Sequence, residues 1–299
     1  MSSLRDILLV GRFEVLRAVR TWRAMALFLL YGIAYGGASY LAVMILHALE
    51  NQVAKQLMVA TTTKPGALLD KLVESEMFAE IVVAATGNEA LVEMVKDVPP
   101  LAIFGMWLGL LLIPFFAASS AAECIAIDMQ SRALRFEALR TGRLEILLGR
   151  FVGQLALTGV ATFLALGVVW SVGTLFMVGH TPFSLGLWLL TLTSRAWWFS
   201  IPFAGLGVAA SAITTSPAWA RVMAIGATGA SWIALGFARY FEGGDYGILA
   251  DVMLQLLPQG WMRMLWEPGL GWLPAALVMV ALGLAMAGVG HARFASRDL

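Results

Sequence analysis

Six stretches of this chain are apolar over a length that can cross a lipid bilayer, and this feature constrains its fold most. A helix needs about 20 apolar residues to cross a hydrocarbon core roughly 30 Å thick. Only 13% of the 299 residues are charged, well below the ~25% of a soluble domain. The sequence therefore predicts an all-α, polytopic membrane protein with six transmembrane helices. The stretches are 24–46, 101–122, 151–178, 184–213, 222–241 and 270–290.

Arginines collect on one side of these predicted spans. Thirteen of the 16 arginines lie before the first span, between the second and third, between the fourth and fifth, or after the sixth. Cytoplasmic loops are enriched in positive charge, so these four segments are predicted to be cytoplasmic. Both termini then lie inside, and we expect a multi-pass protein of the cell (inner) membrane.

The long connection 47–100 has the opposite character. It contains all four lysines, no arginine and eight acidic residues. We interpret it as an external helical insertion, with turns at 61–66 and 86–88, that could bind an external protein partner. A merely solvated loop is the alternative.

The first 23 residues are predicted to form an amphipathic helix on the cytoplasmic surface of the membrane. Leu4, Leu8, Val15 and Val19 fall on one helical face, and arginines are interspersed throughout the segment. This pattern is typical of an interfacial helix. It differs from a cleavable signal peptide, which keeps its positive charges ahead of a short apolar region.

The sequence offers little for catalysis. His47, His180 and His291 lie at span ends without a partner at metal-ligand spacing, and acidic residues are nearly absent from the spans. No phosphate-binding Gly-rich loop followed by Lys occurs. We therefore expect no enzymatic activity, no metal site, no cofactor bound by this chain and no nucleic-acid partner. Any ATP and Mg would be bound by another protein.

Arg195 is a charged residue inside the fourth apolar stretch. As one straight helix this stretch of 30 residues is about 45 Å long, so we expect a break or a tilt within 194–202. Arg195 then faces a cavity beside Trp197 and Trp198, as part of a substrate path, or it extends to lipid headgroups. Both readings stay open.

The segment 123–150 alternates charged and apolar residues at helical spacing. It is predicted to form two short helices joined by a turn at Thr141-Gly142 and to offer a surface to a protein partner. The residues assigned to this surface are Asp128, Arg132, Arg135, Arg140, Arg143, Glu145 and Arg150.

This segment resembles the membrane subunits of ABC-2 type transporters. The similar sequences are DMQSRALR, starting at Asp128, and LRTGRLEILLGR, ending at Arg150. Where the family more often has Gly-Thr this chain has Arg132-Ala133, and the family's usual Pro before the second helix is absent. The basic tail from Arg293 is also similar. The resemblance implies a single ABC-2 type transmembrane domain over 1–299, with 242–269 forming two short half-membrane helices at an outer gate.

The resemblance also implies partners. Two permease subunits, identical or paralogous, would pair with two separate ABC ATPase subunits, which hydrolyse ATP and dock on 123–150 and on the N-terminal helix. Such a complex would export a substrate that the sequence does not identify. A rival hypothesis is a membrane scaffold or assembly factor that does not transport and whose external loop binds a partner.

Overall fold

The six predicted spans are helices in the structure, a computed structural model that describes residues 2–56, 58, 64–68, 76–86, 98–242 and 246–297. Within these residues the chain forms helices and no β-strand. Six helices are long and apolar enough to cross a membrane, which confirms the predicted all-α polytopic fold. They are α2 (Arg23–Gln56), α4 (Pro100–Ala121), α7 (Arg143–Phe176), α8 (Pro182–Ile213), α9 (Pro217–Phe241) and α11 (Leu273–Ala295).

Shorter helices precede or connect these spans. At the amino terminus lies α1, and between the spans lie α3, the pair α5 and α6, and then α10 followed by a 3₁₀ helix. Their bounds are Ser2–Arg20 for α1, Glu76–Thr86 for α3, Ala126–Gln130 for α5, Leu134–Ala138 for α6, Gly247–Leu256 for α10 and Pro258–Trp266 for the 3₁₀ helix.

Two spans extend well beyond the apolar stretches that predicted them. Helix α2 continues past residue 46 to Gln56, and α7 begins at Arg143 rather than at residue 151. Hydropathy predicts only the part of a helix that can lie in lipid. The helix itself extends as far as its backbone hydrogen bonds continue, including into polar segments. Part of each predicted loop is therefore helical. The predicted turns at 61–66 and 86–88 fall partly outside the described residues.

Helix α8 lies at the centre of the bundle and packs against α4, α7, α9 and α11. Glycines allow α8 to lie close to two of these helices. A Cβ on Gly205 would lie 2.3 Å from the carbonyl oxygen of Gly283 in α11, and one on Gly207 would lie 2.5 Å from the carbonyl oxygen of Ala118 in α4. Small residues allow such close approach of membrane helices. Most of α8 is buried as a result.

Of the break or tilt predicted within 194–202, the break is wrong, because α8 is one continuous helix through Pro202, and the tilt stays a prediction. Proline leaves the carbonyl four residues before it without its helical donor, yet packed membrane helices tolerate this. Nearby, the Ser200 hydroxyl donates to the carbonyl of Trp197 at 2.6 Å. The 32 residues of α8 span about 48 Å, which is more than the ~30 Å thickness of a hydrocarbon core. The helix is therefore tilted, or its ends extend beyond the core.

Candidate functional site

The charged residues predicted to face a partner lie where α4 ends and α7 begins. We call this part, formed by α1, α5, α6 and the first turns of α7, the arginine-rich end. The predicted break at Thr141-Gly142 is present, between α6 and α7. The part before it is divided at Arg132 into two short helices, α5 and α6, and the part after it is the start of the long span α7 rather than a short helix. Residues 143–150 continue into α7 because Ile146 and Leu147 are buried in the bundle.

Helix α1 packs against the start of α7 through three glycines. A Cβ on Gly149 would lie 2.6 Å from the Cβ of Val10, and one on Gly11 would lie 2.9 Å from the carbonyl oxygen of Gly149. A Cβ on Gly153 would lie 2.9 Å from the carbonyl oxygen of Gly11. This Gly149-x-x-x-Gly153 pair was missed in the sequence, although its spacing is the usual signal of close helix packing.

Asp128 is the centre of an ion network at this end. Its Oδ2 atom lies 2.5 Å from Arg17 of α1 and 2.5 Å from Arg150 of α7. Arg17 also pairs with Glu14 at 2.6 Å, and Arg150 pairs with Glu137 of α6. The network therefore joins α1, α5, α6 and α7. We call these five residues the ion network.

The network is buried at its centre, whereas the side chains of Arg17 and Glu137 are 35% and 30% exposed. Arg150 is 3% exposed and Glu14 is 7% exposed. Both guanidinium groups also donate to the carbonyl of Cys124, at 3.1 Å in the case of Arg17. Buried charges are stable only when they are paired and hydrogen-bonded in this way. Asp128 and Arg150 therefore hold the site together and do not form its outer surface.

The pKa of Arg17 reflects the same balance. Burial lowers the pKa of the guanidinium, whereas the carboxylates of Glu14 and Asp128 raise it, and the net pKa lies above the ordinary value. The folded protein thus holds this proton more tightly than the unfolded chain does. This preference stabilises the folded protein fully at every pH below the ordinary arginine pKa. Since that pKa lies far above physiological pH, Arg17 stays charged throughout the physiological range.

The break between α4 and α5 is fixed by the central span. Ser211 of α8 accepts hydrogen bonds from the backbone N–H groups of Ile125 and Ala126, at 2.8 and 2.9 Å. These donors stand at the start of α5, where a helix has no internal partners for them. The position of α5 is therefore coupled to α8.

Arg143 and Glu145 make contacts within the chain. Arg143 donates to the carbonyls of Phe294, Ala295 and Arg297, at 3.0, 2.7 and 2.8 Å, and so satisfies the carboxyl end of α11. The Glu145 carboxylate folds over Gly142, whose missing Cβ would lie 2.1 Å from it. The docking role predicted for these two residues stays a prediction.

The three remaining arginines of the segment, Arg132, Arg135 and Arg140, are exposed. Arg132 has a φ of 60°, in the left-handed region that is strained for a residue with a side chain. It stands where the resemblance places Gly. The turn between α5 and α6 thus keeps the geometry of a glycine turn at a conformational cost.

An apolar groove lies between α1 and α6, with a volume of about 490 Å³. Phe136 and Leu139 are 74% and 82% exposed, and Phe13 on the opposite wall is 64% exposed. Arg140 and Glu137 lie at its edge. An exposed apolar surface with a charged rim is typical of a protein-binding site. We call it the docking groove.

Toward the opposite end of the bundle, Arg195 contacts the 3₁₀ helix, and its predicted place in a substrate path stays a prediction. The residue is 4% exposed and donates to the carbonyls of Leu265 and Glu267, at 3.1 and 2.9 Å. Its guanidinium carbon lies 5.7 Å from the centre of the Trp272 ring. Arg195 thus satisfies the carboxyl end of the 3₁₀ helix, because carbonyls at a helix end need a donor and the cation lowers the cost of leaving them in an apolar region.

Trp197 and Trp198 contact each other edge to face, with ring centres 5.2 Å apart, but they have different further partners. Trp197 donates from its indole nitrogen to the carbonyl of Leu155 in α7, at 3.1 Å, whereas Trp198 packs near Trp272 with ring centres 6.4 Å apart. Their place in a substrate path stays a prediction.

Comparison with protein-family models gives a match over nearly the whole chain. Residues 9–299 match the model of a family described as ABC-2 family transporter protein. A comparison with curated proteins found no match. The family match includes all six spans, both ends of the bundle and the segment 123–150, which confirms the resemblance predicted from that segment. The chain therefore belongs to the ABC-2 family of transporter proteins.

Proposed function

We propose that this chain is the transmembrane subunit of an ATP-driven exporter and that separate ABC ATPase subunits dock on its arginine-rich end. Family membership implies partnership with an ABC ATPase. ATP and Mg are bound and ATP is hydrolysed on that partner, and the chain itself contributes no catalytic group. The arginine-rich end and both termini face the cytoplasm, and the protein resides in the inner membrane.

The observation that carries the docking site is the exposed docking groove beside a partly buried ion network. Phe13, Phe136 and Leu139 present apolar surface to the outside of the chain. In the lining of the same groove, Glu137 is paired with Arg150, and through Asp128 with Arg17. A displacement of α6 at the groove is therefore transmitted to α7 and α1 through these ion pairs. This is what a surface that transmits ATPase closure requires.

A second permease subunit, identical or paralogous, completes the transporter in this proposal. Gly32 and Gly37 of α2 and Gly226 and Gly229 of α9 have no atom of the described residues within 4 Å of the place where a Cβ would stand. Open glycines on two spans allow a helix of another subunit to approach closely. This feature supports pairing through α2 and α9.

The 3₁₀ helix and α10 form the outer gate in the same proposal. Arg195 connects the end of the 3₁₀ helix to the central span, and Ser211 connects that span to α5 at the other end. A shift of α8 driven from the arginine-rich end can thereby reach the gate. Trp197 and Trp198 remain candidates for the substrate path beside it.

Docking is tested with a double variant, Phe136→Asp with Leu139→Asp, in the tagged full-length chain expressed in its native host. Both side chains are exposed, so the thermal unfolding temperature should stay near that of the wild type. We expect co-purification of an ABC ATPase to fall about tenfold or more, because two apolar contacts of an interface centre are replaced by charges.

Met58→Asp is the matched control, since Met58 is 96% exposed but lies in the connection predicted to be external. It should co-purify the ATPase as the wild type does. Arg143→Glu is unsuitable for this test because it breaks contacts to α11. An intact complex with the double variant would exclude the docking groove as the ATPase site.

A further inference from the structure

A cavity of about 200 Å³ lies beside the ion network, between α1, α2, α4 and α7. One wall is polar and contains Glu14, Arg17 and Gln154, and another contains the aromatic rings of Phe28 and Phe116. The cavity is separate from the docking groove, which lies between α1 and α6. A space that is polar on one side and aromatic on another suits the polar end of an amphiphile.

Gln154 has an unused acceptor in this wall. The residue is 3% exposed, and its Nε2 donates to Glu14 Oε1 at 2.9 Å. Because a carboxylate can only accept, the amide nitrogen must face Glu14, and Oε1 points elsewhere. Among the described residues this Oε1 has no hydrogen-bond partner. A buried acceptor without a donor is costly, so the site favours a ligand that donates.

The charge of the adjacent ion network favours a cationic donor. Glu14 and Arg17 line the cavity, and the whole network of two guanidinium groups and three carboxylates carries one negative charge in excess. The rings of Phe28 and Phe116 are stacked with centres 6.3 Å apart. Aromatic faces attract cations, more strongly where water is excluded. The charge of the ion network, the free acceptor of Gln154 and the two aromatic rings thus all favour a cationic hydrogen-bond donor.

The remaining lining gives an apolar exit toward the bilayer. Leu27 of α2 is half-buried in the cavity wall, and the next leucines along this helix, Leu29 and Leu30, are each 66% exposed on the outer surface of a membrane span. The cavity has room for a headgroup but not for a whole lipid. An alkyl chain attached to the headgroup would therefore continue along α2.

We propose that this cavity binds the protonated primary amine of a membrane amphiphile. The ammonium donates to Gln154 Oε1 and to Glu14, lies against Phe28 and Phe116, and its alkyl chain leaves past Leu27. Two sources carry this chemistry, the ethanolamine headgroup of a phospholipid and a single-chain alkylamine. The site does not depend on ATPase docking or on export.

The test is native mass spectrometry of the delipidated full-length protein in a non-ionic detergent. It is titrated with dioleoylphosphatidylethanolamine and with dodecylammonium, each against its trimethylated analogue, which has no N–H group to donate. We expect the primary amine of at least one pair to bind about tenfold more tightly, the effect of one charge-assisted hydrogen bond. A preference for the primary amine in the phospholipid pair alone identifies the ligand as a lipid. A preference in the single-chain pair alone identifies a small amine, and a preference in both pairs identifies a site that recognises only the amine.

Two variants locate the binding. Gln154→Leu should abolish the preference for the primary amine, and Ala18→Leu should weaken binding of every probe by filling the cavity while leaving the ion network intact. Thr162→Val is the control, since Thr162 is buried in α7 and, within the described ranges, its hydroxyl bonds only to the carbonyl of Thr158. Equal binding of primary and trimethylated probes, or wild-type binding by Ala18→Leu, would overturn the proposal.

Discussion

At the scale of single residues, Asp128 supplies the carboxylate that pairs with both arginines of the ion network. Replacing it with Asn removes the one carboxylate that, in the part of the chain the structure describes, contacts both Arg17 and Arg150. Because Arg150 is almost completely buried, we expect a loss of ~3 kcal/mol, within the range for breaking one partner of a buried ion pair. Thermal unfolding of the purified protein in detergent measures this as a clear fall in Tm.

The matched control is Asp251→Asn. Asp251 lies exposed on α10, and surface substitutions of this kind change stability by about 0.5 kcal/mol or less. Equal Tm values for the two variants would contradict the structural role of Asp128.

Arg132 and Arg135 are three residues apart but should respond to glycine in opposite directions. Arg132 has a left-handed backbone, so Arg132→Gly should stabilise the chain by about 1 kcal/mol. Arg135 lies inside α6, where glycine costs about 1 kcal/mol relative to a good helix former. The Tm of the purified chain without its ATPase checks both, and a lower Tm for Arg132→Gly would contradict the prediction.

Several of these residue roles could not be predicted from the sequence. The basic pattern of 123–150 identified a charged segment, but its side chains divide into buried partners such as Arg150 and exposed ones such as Arg140. That division depends on where α1 and α11 pack, which local periodicity does not contain. The same holds for Arg195, whose partners in the 3₁₀ helix are about 70 residues away in the chain.

At the scale of secondary-structure elements, the contact between α1 and α7 depends on the absence of a side chain at Gly149. A Cβ there would meet both Val10 and the backbone of Ile7. We expect Gly149→Ala to cost about 1–3 kcal/mol, as overpacking does, and to increase amide hydrogen exchange throughout α1. Gly167→Ala is the control on the same helix, because no atom of the residues that the structure describes lies within 4 Å of its Cβ position. Unchanged exchange in α1 would contradict the close contact.

The 3₁₀ helix should depend on Arg195 in a comparable way. Arg195→Met keeps much of the volume but removes the donors to Leu265 and Glu267, and we expect faster amide exchange over 258–267. Arg263→Met changes an exposed arginine of the same helix and should have little effect. Similar exchange in the two variants would mean that Arg195 does not hold this element.

The number and type of the long helices followed directly from the sequence, because a membrane span requires a continuous apolar stretch. Their ends did not, since α2 and α7 continue as helices through charged residues. The continuity of α8 through Pro202 also depends on neighbours, whose packing holds the helix together where proline removes a hydrogen bond.

At the scale of the whole molecule, the distribution of charge predicts the orientation in the membrane. The single cysteine, Cys124, is buried, so introduced cysteines can be labelled selectively in intact cells. We expect Met58→Cys to react with a membrane-impermeant maleimide from outside, because the connection between α2 and α4 is predicted to be external. Ser296→Cys should react only after the membrane is opened, and the reverse pattern would contradict the proposed orientation.

The most direct test of the proposed function is photocrosslinking from Leu139 in the docking groove. A photoreactive amino acid at Leu139 in the full-length chain is irradiated in intact cells, and the crosslinked protein is identified by mass spectrometry. The same residue placed at Leu277, which is 72% exposed on the span α11, serves as the control. We predict an ABC ATPase crosslinked from Leu139 and not from Leu277. Efficient crosslinking from Leu139 to other proteins or to lipid, without an ABC ATPase, would contradict docking at this groove.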